Sequence, residues 1–114
     1  MIAYRGDYKI DFQLEDSAGV VVDVDTIDDM VININQLPLN RSVAQYKYTG
    51  GAGYYPIAFT PATDYITIYL NKSDLDNTRL GKIIMDVTTQ FVNVNFDDAV
   101  QDSRDKEMLF TLRE

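Results

Sequence analysis

Cysteine, histidine and tryptophan are all absent from this chain of 114 residues, and proline occurs only three times. Without cysteine there is neither a disulfide nor a thiolate metal site, so packing alone must hold the fold, and a reducing compartment would cost the chain nothing. Without histidine as well, the commonest general base, the commonest metal ligand and the best nucleophile are missing, and a Ser-His-Asp or Cys-His site cannot be built. Basic residues are scarce: ten Lys and Arg face eighteen Asp and Glu, a formal charge of −8 that repels phosphate backbones and anionic headgroups. Nucleic acid and membrane surfaces are therefore not expected partners. No apolar run approaches the length of a spanning helix, and Met1-Ile2-Ala3-Tyr4-Arg5 does not open a secretory signal. The chain reads as soluble, with no export signal of its own.

What the sequence does contain is alternation. A chain of this length makes one domain that buries roughly two-thirds of its extended surface. Tyr8, Ile10, Phe12 and Leu14 alternate with Lys9, Asp11, Gln13 and Glu15, the period of a half-buried strand. Asp16-Ser17-Ala18-Gly19 has turn chemistry, and Val20-Val21-Val22 is expected to return as a short hairpin strand. Met30, Ile32 and Ile34 alternate with Val31, Asn33 and Asn35 until Pro38 ends the strand. Ser42 to Tyr48 is expected to pair with Tyr54 to Phe59 around the tip Thr49-Gly50-Gly51-Ala52-Gly53. Tyr65 to Val87 reads as strand, tight turn, strand. The break at residues 71–77 suits a turn or one helical turn capped by Ser73, and alternation resumes at Gly81. Phe91 to Phe96 reads as a further strand, Asp97 to Lys106 as a polar loop, and Met108, Phe110 and Leu112 as the last strand. Eight or nine short strands with turns between them predict an all-β antiparallel sandwich over residues 1–114, a barrel being the other outcome of the pattern.

Few residues in this pattern carry chemistry. A carboxylate pair of the glycosidase kind is formally possible, but the acids lie on polar strand faces and in turns, where water keeps them ordinary; no enzymatic activity is expected, and no cofactor. Asp23, Asp25, Asp28 and Asp29 offer oxygen ligands without the glycine and closing glutamate of an EF-hand loop, and read as a solvated acidic loop. Arg5-Gly6-Asp7 spells an integrin-type tripeptide but runs straight into a strand. The Gly50 to Gly53 run lacks the Lys-Ser/Thr of a phosphate loop and a following helix. Tyr46, Tyr48, Tyr54 and Tyr55 flank that run and gather at one end of the sheet. Tyrosine gives large contact area at low rotamer cost, so these four are the candidate partner-binding residues, with cross-strand packing as the plain reading of the same positions.

Two segments carry a resemblance. Arg5-Gly6-Asp7-Tyr8-Lys9-Ile10-Asp11-Phe12-Gln13-Leu14-Glu15-Asp16-Ser17-Ala18-Gly19-Val20-Val21-Val22-Asp23 and, within Ile66 to Val87, Leu80-Gly81-Lys82-Ile83-Ile84-Met85-Asp86-Val87 resemble the immunoglobulin-like N-terminal domain of phage baseplate upper proteins and tail-fibre subunits. The shared features are a Gly-Asp before an alternating strand, an acidic-to-glycine turn, and a strand-opening glycine leading to Asp-Val. Antibody-type domains are excluded: the paired cysteines and core tryptophan are absent, and Ile83 stands at the tyrosine-corner position. The resemblance implies a non-enzymatic virion structural subunit of baseplate, tail or head, assembled in the bacterial cytoplasm and contacting other virion proteins or itself as an oligomer. The rival expectation, from the residues alone, is a carbohydrate- or ligand-binding module stacking its ligand on the tyrosine cluster.

Overall fold

In the computed structural model the described residues are 2–38, 40–76, 78, 80–92, 95 and 100–113. Among them are eight strands: β1 (Ile2–Tyr4), β2 (Tyr8–Phe12), β3 (Ile27–Gln36), β4 (Arg41–Lys47), β5 (Ala58–Thr60), β6 (Tyr65–Leu70), β7 (Gly81–Val92) and β8 (Val100–Arg113). A 3-10 turn, Val24–Thr26, precedes β3, and one short helix, α1 (Lys72–Asp76), joins β6 to β7. One sheet runs β1-β8-β7-β3-β4 and the other β2-β6-β5; all pairings are antiparallel except the β1 edge, which joins β8 in parallel. In chain order this places strands B, E and D of an immunoglobulin sandwich in the smaller sheet and G, F, C and C′ in the larger. The chain is an all-β immunoglobulin-like sandwich.

The core follows from the alternation. Met30, Ile32 and Ile34 of β3, Ile83, Met85 and Val87 of β7, and Phe110 and Leu112 of β8 face Ile66, Ile68 and Leu70 of β6, all of them buried. Two buried polar groups on this framework are matched. Gln36 is buried and its Nε2 donates to the carbonyls of Leu37 at 2.6 Å and Leu80 at 3.3 Å. Asp86, on the outer face of β7, is held by two nitrogens of Arg104, Nε at 3.1 Å and Nη2 at 2.7 Å. At the β6–β7 corner Leu75 of α1 is buried, and the Arg5-Gly6-Asp7 segment clamps the helix at both ends. Asp7 Oδ1 accepts from the Lys72 amide at 2.7 Å, while Arg5 donates to the carbonyls of Leu75 at 3.0 Å and Thr78 at 2.9 Å. Each charge meets the helix end that its sign suits, so the tripeptide is spent inside the fold.

Several expectations change. Tyr54 to Phe59 does not form a hairpin with Ser42 to Tyr48: β4 pairs with β3, and β5, reduced to three residues, joins the other sheet beside β6. Val20 to Val22 makes one bridge, Val21 to Glu15, before the chain crosses to the larger sheet; the Asp16 turn itself forms, its Oδ1 accepting from the amides of Ala18 and Val20. Ser73 lies inside α1, and Asp7 takes the capping role instead. Phe91 continues β7, and residues 102–106, expected in a loop, pair along β7 as part of β8. The expected Phe91 to Phe96 strand otherwise falls largely outside the described residues, as do 97–99. The 102–106 stretch hides from a hydrophobicity pattern because its inward positions, Ser103 and Asp105, are exposed.

The two long sides of the sandwich differ. Along one, the edges β4 and β5 are bridged by aromatic rings; along the other lie β2 and β8, joined at one end where Tyr8 meets Phe110 with ring centroids 5.5 Å apart.

Two outcomes are expected from these contacts. A Cβ at Gly81, where φ is +142°, would stand 2.9 Å from Gln36 Nε2 and 3.0 Å from the Leu37 carbonyl, so Gly81→Ala should show a lower urea midpoint. The loss is expected at about 2–4 kcal/mol, from backbone strain plus a displaced buried amide. Arg104 holds the Asp86 carboxyl below its usual range, chiefly by hydrogen bonding. The folded-state value being depressed, the pair stabilises fully above the ordinary carboxylate range and the gain is lost as pH falls through the lowered value. The stability gap between wild type and Asp86→Asn, followed by denaturation across acid pH, should therefore be constant near neutrality and close in that window.

Candidate functional site

The four candidate tyrosines are brought to the β4–β5 side of the sandwich, but not as equals. Tyr46, on β4, points inward and is fully buried, whereas Tyr48, Tyr54 and Tyr55 remain 43%, 37% and 38% exposed. Tyr46 therefore belongs to the core and offers no surface to a partner. Its hydroxyl crosses between the sheets and donates to the Tyr69 carbonyl at 2.8 Å. Burial, with the Asp74 carboxylate and Tyr55 as smaller contributors, pushes this phenol far above its ordinary range.

The loop that presents the other three is fixed by its backbone. Gly50, Gly51 and Gly53 all have positive φ, and at Gly51 a Cβ would come within 3.4 Å of the Tyr54 ring. Gly50 N–H donates to the Lys47 carbonyl, Tyr54 N–H to that of Gly51, Tyr55 N–H to that of Gln45, and Lys47 N–H to that of Tyr55. Asp29 Oδ1 accepts from the Thr49 amide at 3.2 Å, and the other carboxylate oxygen lies 3.9 Å from Lys47 Nζ. The returning chain thus runs parallel to the end of β4 through a Tyr46–Tyr55 bridge, which is how the glycine run turns without forming the expected hairpin.

Each ring has a neighbour. Tyr48 stacks on Phe59 of β5, centroids 4.0 Å apart and planes 13° from parallel, and this pair closes the gap between the edges of the two sheets. Lys47 Nζ lies 5.8 Å from the Tyr54 ring centroid. Tyr55 packs against Tyr46 at 5.5 Å with a tilt of 47°, and its hydroxyl donates to Asp74 Oδ1 at 3.1 Å. That hydrogen bond raises the Tyr55 phenol above its usual value. Phe59 and Asp74 are the residues missed from sequence. Phe59 was visible as an apolar residue near the glycine run, whereas no local pattern could bring Asp74, nineteen positions from Tyr55, to its hydroxyl.

This cluster offers ring surface and phenolic hydroxyls. Both phenols with raised values stay protonated at neutral pH, so they donate hydrogen bonds and cannot serve as bases. Elsewhere the candidate cation ligands are dispersed. Asp23 Oδ1 accepts from the Asp25 amide, Asp29 Oδ1 binds the Met30 and Thr49 amides, and among the described residues no three acidic side chains stand together as a metal site. Also among the described residues, no helix is long and apolar enough to cross a membrane.

Tyr46→Phe keeps the ring and removes the tie between sheets. Its unfolding midpoint in urea should fall by an amount equivalent to about 1 kcal/mol, with the slope unchanged; an unaltered midpoint would show that the bond to Tyr69 adds nothing to stability.

In comparison with known proteins, the chain matches no family model, no curated protein and no solved structure.

Proposed function

We propose that this chain is a non-enzymatic structural subunit of a phage particle or phage-like assembly, made in the bacterial cytoplasm and incorporated into the virion, where it works by protein–protein packing of its sandwich. The observation that carries the reading is the row of half-exposed tyrosines, Tyr48, Tyr54 and Tyr55, on a loop held by backbone hydrogen bonds. Aromatic surface fixed before contact loses little conformational freedom on binding, which suits it to a permanent interface. The absence of histidine and cysteine supports a role in shape and contact. The phage setting comes from the resemblance in Arg5 to Asp23 and Leu80 to Val87. Other virion proteins, or further copies of the chain, are the partners this implies; the charge of −8 argues against nucleic acid and anionic membranes.

A sugar-stacking module is less well served by the same residues. One face of Tyr48 is taken by Phe59, Lys47 lies toward Tyr54, and Tyr46 is withdrawn into the core.

Sedimentation of the purified chain, alone and co-expressed with the products of its neighbouring genes, tests the proposal. A defined oligomer or a co-sedimenting complex is expected, weakened at least about ten-fold by Tyr54→Ser with Tyr48→Ser, as for loss of interface anchors. A strictly monomeric species at about 1 mM with no such complex would overturn it.

A further inference from the structure

Among the described residues, the side of the sandwich opposite the tyrosines is incompletely covered. An immunoglobulin sandwich places strand A beside B in the smaller sheet, but here β1 joins β8 of the larger sheet, and β2 is an edge strand with β6 as its ladder partner. The consequence appears in burial: Ile10, Phe12 and Leu14 of the β2 row are only half-buried, although their neighbours on β6 are fully so. A cleft of about 430 Å³ follows, walled by Phe12 to Glu15 on one side and Asp105 to Glu107 on the other, with Met85 and Val87 as its floor. A smaller cleft of about 240 Å³, lined by Ile10, Asp11 and Leu109 among others, continues it toward the Tyr8–Phe110 contact. Among the described residues the β8 wall is open as well, β1 pairing with Thr111 to Arg113 alone.

The registry of β8 specifies the charge of this slot. Val87 lies opposite Asp105 and Met85 opposite Glu107, so the two carboxylates share the inward face with the apolar floor. The slot thus has buried apolar residues beneath it and two carboxylates along one wall, with Lys106 between them in sequence, in a chain of net charge −8.

We propose that the vacant position beside β2 receives an extended segment of another protein, one with alternate apolar side chains and with Lys or Arg facing Asp105 and Glu107. Backbone pairing to the β2 edge would hold the segment. Its apolar side chains would cover the half-buried Ile10, Phe12 and Leu14, completing a four-stranded sheet. A second copy of this chain is disfavoured as the occupant, because it brings the same excess of negative charge. The inference stands apart from the assembly role and from the tyrosine surface, which lies on the other side of the sandwich.

The probe is a peptide, Lys-Lys-Val-Thr-Val-Thr-Val-Thr-Lys-Lys, with a Glu-flanked counterpart, titrated into the isotope-labelled full chain and followed by amide shifts and hydrogen exchange. Saturable binding is expected, with new protection between Ile10 and Glu15 and about ten-fold weaker affinity for the Glu-flanked peptide. Leu14→Glu should abolish it. Asp105→Lys with Glu107→Lys, both at exposed positions, should reverse the preference between peptides without changing the fold. No saturable binding, protection confined to the β4–β5 side, or an unreversed preference in the double variant would overturn the proposal. So would protection of β2 in the peptide-free protein that grows with its concentration alongside a dimer, since that seats a second copy in the slot.

Discussion

The contact between the inward rows of β3 and β7 and that of β6 is what the remaining structure depends on. No covalent link joins the sheets, and the side chains that meet between them are aliphatic, each worth roughly 1.5–3 kcal/mol when fully withdrawn from water. Because the rows alternate with polar residues, a slip of one position in any central strand would turn the core outward, so the registers of β3, β7 and β6 are strongly specified. Directional ties then act on a framework already closed: the Tyr46 hydroxyl reaching Tyr69, the Gln36 amide at the Gly81 approach, and the Arg104 fork on Asp86.

With the middle of the sandwich set, its two long sides become different surfaces. Where β4 and β5 end the sheets, Tyr48 and Phe59 cover the gap with rings and leave part of their area outside. Along β2 and the stretch of β8 that β1 leaves unpaired, the buried Met85 and Val87 lie beneath a half-buried apolar row and a pair of carboxylates. Charges pointing inward at a sheet edge are a recognised guard against indiscriminate strand pairing, and here they also select by sign. Aromatic coverage on one flank and an acid-guarded slot on the other give the molecule two unlike faces for contact.

How much of this was legible in the sequence depended on whether a residue's environment is local. The strands of β2, β3, β6 and the first half of β7 are visible as period-two alternation, because each has one face in the core and one in water. Their assembly into a sandwich follows from strand number and spacing. Pairing was not legible between Ser42 and Phe59: a glycine run between two aromatic segments looks the same whether the chain folds back on its own strand or crosses to the other sheet. The stretch from Asp102 to Lys106 was invisible as a strand for the opposite reason, its inward side facing an unfilled gap. Of the four tyrosines singled out, clustering followed from the glycine run they flank, whereas the inward turn of Tyr46 depends on its place opposite the buried Ile32 in the β3–β4 ladder and on β6, whose Tyr69 carbonyl takes its hydroxyl.

The clamp on α1 has a bearing on the order in which the molecule can be completed. Arg5 closes onto carbonyls 70 and 73 positions further along, and Asp7 onto an amide 65 positions away. Ties of such span close late, since a long stretch of chain must first surrender its freedom. On a ribosome Arg5 and Asp7 therefore cannot make these ties until α1 and Thr78 have emerged, 65 to 73 positions after them.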